Sequence, residues 1–362
     1  MNQDVMKMED LLEDPVGAAG DALDRLFILR PDLRTRYDEG NLRRAREDMA
    51  HHVRKQAQAA FSGGDASLRD YLSWLKVLFR GLRIPDDLIE DSLRCAGQAA
   101  AAVLKEPDSS AILGWADQAA AVYARLDTEA GRYGGPGPAP GTPVHAYVRI
   151  LVDGRRDLAR KVVDAELARG VSVRTLYLDL FQPAQREIGR LWHTREISVA
   201  QEHFATAATQ YLMSELYSRL ISQSPPNGRI LVAAAAQGEL HEVGIRMVAD
   251  FFQADGWDAR YFGANLPMES LLSEVDRIRP DLVALSATMP ENVRWIARFI
   301  DQIRTRDTRR PAILVGGLPF LVSEGLWRDI GADASGSDCE AAVAAGNRIA
   351  AEQSAPETGA RP

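Results

Sequence analysis

The C-terminal third of the chain carries one histidine in a setting suited to metal coordination. His241 lies in the stretch 238–244 (Gly-Glu-Leu-His-Glu-Val-Gly), after an apolar run at 229–236 that predicts a buried strand. In open α/β sheets, ligands bind outside the carboxyl ends of the strands. An imidazole there can direct one nitrogen at a metal while Glu239 holds the other nitrogen and fixes the tautomer. The same stretch is also compatible with a helix-start loop that carries a solvated histidine.

Two further stretches follow predicted strands of the same region. Ser286-Ala-Thr288 ends the third predicted strand, and Gly316-Gly317 ends the fourth. Because the carboxyl ends of parallel strands face one crevice, we expect these residues to lie near His241. The two glycines allow a ligand's tail to approach the backbone closely. The alternative to such a ligand site is a flavodoxin-like domain in which the histidine is incidental.

The alternation of strands and helices from Arg229 onwards predicts the scaffold that positions these residues. Strands are predicted at 229–236, 258–263, 281–287, 312–317 and, weakly, 332–336, and helices at 242–255, 268–278, 291–305, 323–330 and 339–352. This order is typical of a doubly wound parallel α/β sheet, here a Rossmann-like domain over 228–352. Residues 353–362 are polar and are expected to form a disordered tail.

A helical block precedes the sheet. Within 144–223 we predict helices at His145–Asp153, Arg155–Ala168, Val173–Phe181, Pro183–Thr194 and Ser198–Ser222. Helices of this length and number indicate a four-helix-bundle cap. The Pro/Gly-rich segment 134–143 predicts a linker before the block.

The first part of the chain, 1–133, reads as a separate all-α domain. Residues 1–22 are polar with Pro15 and Gly17 as helix breakers, and we expect a frayed leader there. Helical periodicity then continues to about residue 132 without a strand. The pattern in 67–82, with apolar residues three and four apart, is the clearest example.

The composition excludes several classes of protein. The 362 residues carry a net charge of −8, which argues against a protein that coats nucleic acid. Two cysteines far apart, Cys95 and Cys339, suggest a reducing, cytoplasmic compartment. We find no signal-peptide pattern and no apolar run long enough for a membrane helix. No nucleophile, base and orienting group occur together, so we expect a regulatory protein and not an enzyme.

The three stretches at the strand ends resemble the cobalamin-binding domain, whose pattern is D/E-x-H-x-x-G, then S-x-L or S-x-T, then G-G. The resemblance implies that His241 is the lower cobalt ligand. It assigns these residues to the cofactor: Glu239, Leu240, His241, Gly244, Ser286, Thr288, Gly316 and Gly317. Glu239, where many members have Asp, is similar to the light-sensing subgroup.

The helical block adds a second pattern, Trp192 followed by nine residues and Glu202-His203. This W-x9-EH pattern resembles the adenosylcobalamin photoreceptors of the CarH type. The resemblance implies that Trp192 and Glu202 embrace the 5′-deoxyadenosyl group, with Val199 and His203 in the same pocket. An indole offers a stacking face, and a carboxylate accepts hydrogen bonds from ribose hydroxyls. It further implies that His193 ligates cobalt after light removes the adenosyl group, and that a homo-oligomer changes with light.

The N-terminal domain differs from that family's DNA-binding domain. Residues 22–132 lack the strand pair of a winged helix, so DNA binding is not expected. The layout of the whole chain resembles the photocobilins, which hold a bilin beside cobalamin, and this implies biliverdin as a second chromophore. Arginines at 43, 44 and 46 could pair with bilin propionates, beside His51 and His52, although a solvated helix explains them equally well. Cys95 lies in an alanine-rich helix, which favours a buried thiol over an attachment site.

Two other functions share the same cobalamin motif. One is a corrinoid methyl-carrier subunit of a methyltransferase, which would use the loop around His241 with methylcobalamin. The other is a cobalamin-responsive antirepressor that acts through contact with a protein partner. The W-x9-EH pattern favours the light sensor over the carrier.

Overall fold

The computed structural model describes residues 7–62, 66–127, 136–221, 224–306 and 310–354. Contacts between residues divide the chain into two compact units. The first, which we call the helical unit, comprises Met1–Pro136 together with Arg190–Glu196, and the second, the cap–sheet unit, comprises Gly137–Gly189 and Ile197–Pro362. None of the described helices is long and apolar enough to cross a membrane.

The helical unit is entirely α-helical in its regular elements, as far as its described residues extend. Its helices are α1 (Met8–Glu13), α2 (Val16–Leu29), α3 (Pro31–Arg36), α4 (Glu39–Ser62), α5 (Ala66–Gly81), α6 (Asp86–Val103) and α7 (Asp108–Arg125). The expectation of a helical N-terminal region is therefore confirmed.

The expectation of a frayed leader is wrong for residues 8–22. Leu11 and Leu12 on α1 are buried, as are Ala18 and Ala22 on α2. These side chains recur at helical spacing and pack into the same core as α4, so burial outweighs the polar character of the segment. Residues 1–6 lie outside the described residues.

The cap consists of α8 (Pro143–Val152), α9 (Arg156–Ala168), α10 (Val173–Leu176), a π-helical turn (Tyr177–Phe181), α11 (Gln182–His193) and α12 (Val199–Ile221). The predicted break before Pro183 is absent, because the π turn joins α10 directly to α11. The Gln182 amide donates to the carbonyl of Tyr177, five residues earlier. This wider turn accommodates Pro183, which has no N–H and would clash with a carbonyl in a regular helix.

The sheet is five-stranded and parallel. Its strands are β1 (Ile230–Ala235), β2 (Asp258–Tyr261), β3 (Leu282–Ser286), β4 (Ala312–Gly316) and β5 (Ala334–Gly336). The helices between and after them are α13 (Val243–Ala254), α14 (Met268–Ile278), α15 (Val293–Arg304), α16 (Leu318–Val322), α17 (Leu326–Asp329) and α18 (Cys339–Ser354), with a 3₁₀ turn at Pro290–Asn292. The order is β2-β1-β3-β4-β5, as expected for a doubly wound sheet.

The strand order reverses between β1 and β3, which makes this the switch point where such sheets bind ligands. Ser286 at the end of β3 pairs with Ala235 on β1 and with Gly316 on β4. The ends of these three strands therefore lie side by side, and the loops that leave them share one edge. The segment expected to be a tail from residue 353 begins inside α18, and residues 355–362 lie outside the described residues.

Candidate functional site

A buried carboxylate holds His241 on the loop between β1 and α13. The Glu239 side chain is completely buried, whereas that of His241 is 59% exposed. Glu239 Oε1 accepts a short hydrogen bond from His241 Nδ1 and another, at 3.3 Å, from the His241 amide. His241 Nε2 makes no hydrogen bond within the described part of the chain, and so it remains available to a ligand.

The second oxygen of Glu239 joins this loop to the one after β3. Glu239 Oε2 accepts from the amides of Thr288 at 2.7 Å and Met289 at 2.9 Å, and from Asn292 Nδ2 at 3.1 Å. The S-x-T motif includes Thr288, whereas Met289 and Asn292 were not predicted from the sequence. Two of the three donors are backbone groups, which no side-chain pattern reveals. Three donors thus fix the carboxylate, and the carboxylate in turn orients the imidazole.

These contacts set the ionisation of the pair. Burial alone would raise the pKa of Glu239, but hydrogen bonds from His241 and from the Met289 and Thr288 amides hold that pKa at about 2. The hydrogen bond to Glu239 raises the pKa of His241, against the opposing effect of burial. A metal at Nε2 would take the place of the proton there and leave the Nδ1–H bond to the carboxylate intact.

The neighbouring strand ends carry a buried polar atom and a glycine that the backbone requires. The Ser286 hydroxyl is buried and has no hydrogen-bond partner among the described residues. Gly317 has φ +101°, and a Cβ there would lie 2.0 Å from the Ala287 carbonyl oxygen, so only glycine fits. At Gly244 a Cβ would meet open space. A buried hydroxyl without a partner, next to a glycine, suits a large ligand whose tail has polar atoms that can pair with the hydroxyl.

The first turn of the cap helix α12 carries a carboxylate, Glu202. Further along α12, Gln210 Nε2 donates to Glu242 Oε1 at 2.9 Å, which joins this helix to the loop of His241. Glu202 Oε2 accepts from His203 Nδ1 at 2.7 Å, and Oε1 lies 3.0 Å from the Thr206 hydroxyl. Val199 is 52% exposed one turn earlier. Sequence reasoning missed Thr206, although its position four residues after Glu202 on a helix was a usable signal.

The other half of the W-x9-EH pattern lies in the helical unit. His193 is only 3% exposed, and its Nε2 donates to the Trp74 carbonyl at 2.7 Å. The two rings stack with centroids 5.1 Å apart. Burial lowers the pKa of His193 to about 4, so the imidazole is neutral at pH 7. Trp192 retains 36% exposure.

The residues considered for a bilin fall into two groups. Arginines 43, 44 and 46 on α4 are exposed, whereas His52 is buried with Nδ1 2.7 Å from the Tyr71 hydroxyl. Cys95 is buried, as interpreted from the alanine-rich helix, and burial raises the pKa of its thiol. A thiol in this state is a poor nucleophile for covalent attachment.

Two family models match the cap and the sheet. Residues 229–344 match a B12 binding domain, and residues 144–217 match a second B12 binding domain. The chain contains a cobalamin-binding module. The prediction of a corrinoid cofactor is therefore confirmed.

Several known proteins resemble this module. A 163-residue segment is 29% identical to the HTH-type transcriptional repressor CarA of Myxococcus xanthus, covering 45% of this chain and 53% of the repressor. A 200-residue segment is 24% identical to the trimethylamine corrinoid protein of Methanosarcina barkeri, covering 54% of this chain and 90% of that protein. The match to the repressor thus spans about half of the repressor's length.

The fold is shared with a solved structure. The monomethylamine corrinoid protein of Methanosarcina barkeri superposes with a TM-score of 0.50 at 20% identity, covering 56% of this chain and 96% of that one. This match supports a parallel-sheet domain with a helical cap, as in corrinoid proteins. Nearly half of the present chain lies outside it.

Proposed function

We propose that the protein is a light sensor that binds adenosylcobalamin between the cap helices and the sheet. One observation carries the proposal: Gln210 on the cap helix α12 donates to Glu242, the residue after His241, at 2.9 Å. The helix that carries Glu202 thus contacts the loop that carries the nitrogen donor of the cobalamin motif. A carboxylate on the cap side of the crevice suits ribose hydroxyls, which donate hydrogen bonds to it. Trp192 and His193 enter the proposal through the sequence pattern that they share with Glu202 and His203.

The residues below the cofactor would hold it in every state. His241 supplies Nε2 as the lower ligand, and Glu239 fixes the Nδ1–H tautomer from a position locked by the Thr288 and Met289 amides. Ser286 offers a buried hydroxyl to the tail, and Gly317 lets the loop after β4 pass close to the Ala287 backbone beside it. Because these groups are rigidly connected, we assign anchoring to this side of the site.

The residues of the W-x9-EH pattern would respond to light. When bound, adenosylcobalamin supplies a cobalt–carbon bond that visible light breaks. Trp192 provides a stacking face, Glu202 accepts from hydroxyl groups, and His193 is a neutral imidazole able to donate a lone pair. We propose that loss of the adenosyl group alters the conformation or the oligomeric state of the protein. We further propose that a protein partner, or a second chromophore such as biliverdin, takes part in the response.

The proposal is tested with protein purified with adenosylcobalamin in the dark. Illumination should change the visible spectrum irreversibly and should change the elution volume in size-exclusion chromatography. Protein loaded with cyanocobalamin serves as the control, because it lacks the light-sensitive adenosyl bond. A light-induced spectrum without any change in mass or shape would contradict the sensor function, as would an unchanged spectrum.

A second candidate is a corrinoid methyl carrier, favoured by the match that covers 90% of the trimethylamine corrinoid protein. A carrier would cycle methylcobalamin, and so it needs no pocket for an adenosyl group. Dissociation constants for methylcobalamin and adenosylcobalamin separate the two functions. Tighter binding of adenosylcobalamin, lost in Glu202→Ala, supports the sensor; tighter binding of methylcobalamin with methyl turnover supports the carrier.

A further inference from the structure

The end of α11 is packed against α5 within the helical unit. His193 stacks on the Trp74 indole and donates from Nε2 to the Trp74 carbonyl, so one residue of α5 provides both contacts. Gly81 lies seven residues further along the same face of α5. A Cβ at Gly81 would lie 3.4 Å from both the Thr194 carbonyl oxygen and Arg195 Cγ. The turn after His193 therefore rests on the end of α5 as well.

The turn itself is a well-formed helix C-cap. The Glu196 amide donates to the Leu191 carbonyl and the Arg195 amide to the Trp192 carbonyl, which is the Schellman pattern. Arg195 occupies the left-handed position with φ +65°, a conformation that normally favours glycine. The Glu196 carboxylate accepts from Arg190 at 3.1 Å and from the Thr194 hydroxyl at 2.8 Å. These bonds give the segment 190–196 one defined conformation.

The stack extends from His193 into the core of the helical unit. Trp74 stacks on Tyr71, three residues earlier on α5, with centroids 6.1 Å apart. The Tyr71 hydroxyl lies 2.7 Å from His52 Nδ1, and His52 is buried on α4. His193 is thus the outermost ring of a continuous series that ends in the packing of α4 and α5.

One nitrogen cannot serve both contacts of His193. When Nε2 carries the proton that Trp74 accepts, it has no lone pair for a metal. Nδ1 of the same ring is buried, so ligation through it also requires the ring to move. Docking on α5 and coordination of cobalt are therefore mutually exclusive states of His193.

We propose that Trp74 is a positioning residue for His193, holding the imidazole in the helical unit until α5 and the segment 190–196 separate. This inference rests on the proposed function, since it takes His193 as the upper ligand. The helical unit would then oppose ligation by His193, and ligation in turn would loosen the contact with α5. A change of the cobalt ligand, caused by light or by another reaction, would then alter the packing of α5 through His193.

The experiment uses the full chain and needs no light. In ligand-free protein, Trp74→Leu removes the stacking surface, and Trp74→Phe keeps an aromatic ring as the matched control. Hydrogen exchange of the amides in 190–196 should accelerate about five- to thirtyfold in Trp74→Leu, the factor expected for one lost contact of this kind, and should stay near the wild-type rate in Trp74→Phe. Thermal unfolding of each variant shows whether the helical unit remains folded.

The second measurement adds hydroxocobalamin, whose bound water is exchangeable, in the dark. Imidazole replacing that water shifts the visible bands, and His193→Ala identifies the part of the shift due to His193. We expect this part to form faster in Trp74→Leu than in the wild type, with Trp74→Phe restoring the wild-type rate. Methylcobalamin, whose upper position is blocked, should leave the exchange of 190–196 unchanged.

Unchanged exchange in Trp74→Leu, or an unchanged rate of the shift that depends on His193, would overturn the positioning role. A spectrum that never depends on His193 would overturn it as well. A light-induced change in protein loaded with adenosylcobalamin would still support the proposed function in either case. The two proposals therefore fail in different experiments.

Discussion

Glu239 and Thr288 are joined across the switch point of the sheet: the Thr288 amide donates to Glu239 Oε2 at 2.7 Å. Through this bond the loop after β3 fixes the carboxylate that orients His241 on the loop after β1. The imidazole of His241 is thus positioned by the loops after two strands. The imidazole itself remains largely exposed, and its orientation comes from a partner that is completely buried.

Replacing this carboxylate should weaken cobalamin binding. Glu239→Gln would put an amide in place of an oxygen that accepts three hydrogen bonds, and would weaken the hold on His241 Nδ1. We expect affinity for cobalamin to fall by about 10- to 100-fold, as for other residues that orient metal ligands. Titration with hydroxocobalamin followed by tryptophan fluorescence measures this. The exposed Glu269→Gln on α14 is the control, and equal affinities of the two variants would contradict the role of Glu239.

Removing the Ser286 hydroxyl should affect the stability of the ligand-free protein and its affinity for cobalamin in opposite directions. In ligand-free protein Ser286→Ala relieves a buried group without a partner, so stability should stay equal or rise by up to about 1–3 kcal/mol. Cobalamin affinity should fall by about tenfold, the value of one hydrogen bond of roughly 1.4 kcal/mol. Urea unfolding and cobalamin titration check the two effects. Loss of stability without loss of affinity would show that Ser286 serves the sheet alone.

The two glycines of the site should differ sharply in tolerance to a methyl group. Gly317→Ala combines a positive φ with a clash against the Ala287 carbonyl, and we expect a loss of at least about 2 kcal/mol of unfolding free energy. Gly244→Ala meets open space on a helix and should stabilise ligand-free protein by up to about 1 kcal/mol. If the cofactor fills that space, Gly244→Ala should bind cobalamin more weakly. Thermal unfolding with and without cobalamin distinguishes these outcomes.

A buried pair between the cap and α13 should make stability depend on pH. The Tyr177 hydroxyl donates to Asp250 Oδ2 at 3.0 Å, and burial raises the pKa of Asp250 to about 6. The folded state prefers protonated Asp250, so the contribution of this residue to stability is fully present below the unfolded pKa of about 4. That contribution is lost as the pH rises through the folded pKa of about 6. The free energy of unfolding should therefore fall by roughly 2 kcal/mol between pH 4 and pH 7.

The variant Asp250→Asn isolates this effect, since it accepts the same hydrogen bond and does not ionise. We expect it to match the wild type near pH 4 and to exceed its stability at pH 7. Urea unfolding across this range gives the difference in unfolding free energy between the two proteins. The contributions of the other titrating groups cancel in that difference. Parallel stability curves for the two proteins would contradict the assigned pKa.

The alternation of strands and helices from Arg229 onwards was enough to predict the sheet. It also placed Glu239, His241 and Ser286 at the carboxyl ends of strands, because strand ends follow from local periodicity. The amides that hold Glu239 were not predictable, since they come from backbone that is distant in sequence. The π turn before Pro183 also escaped prediction, because the local signal at a proline is a break. The burial of His193 depends on α5, more than a hundred residues earlier, and no local pattern encodes such packing.

Electron paramagnetic resonance of the reduced, Co(II) form tests most directly whether His241 holds the cobalt. The protein is prepared with all histidine nitrogens as ¹⁵N and loaded with unlabelled cobalamin. If His241 is the lower ligand, the axial nitrogen splitting should appear as doublets and should be lost in His241→Ala. Triplets in the labelled protein would show that the nitrogen comes from the cofactor's own base, and would contradict the assignment of His241.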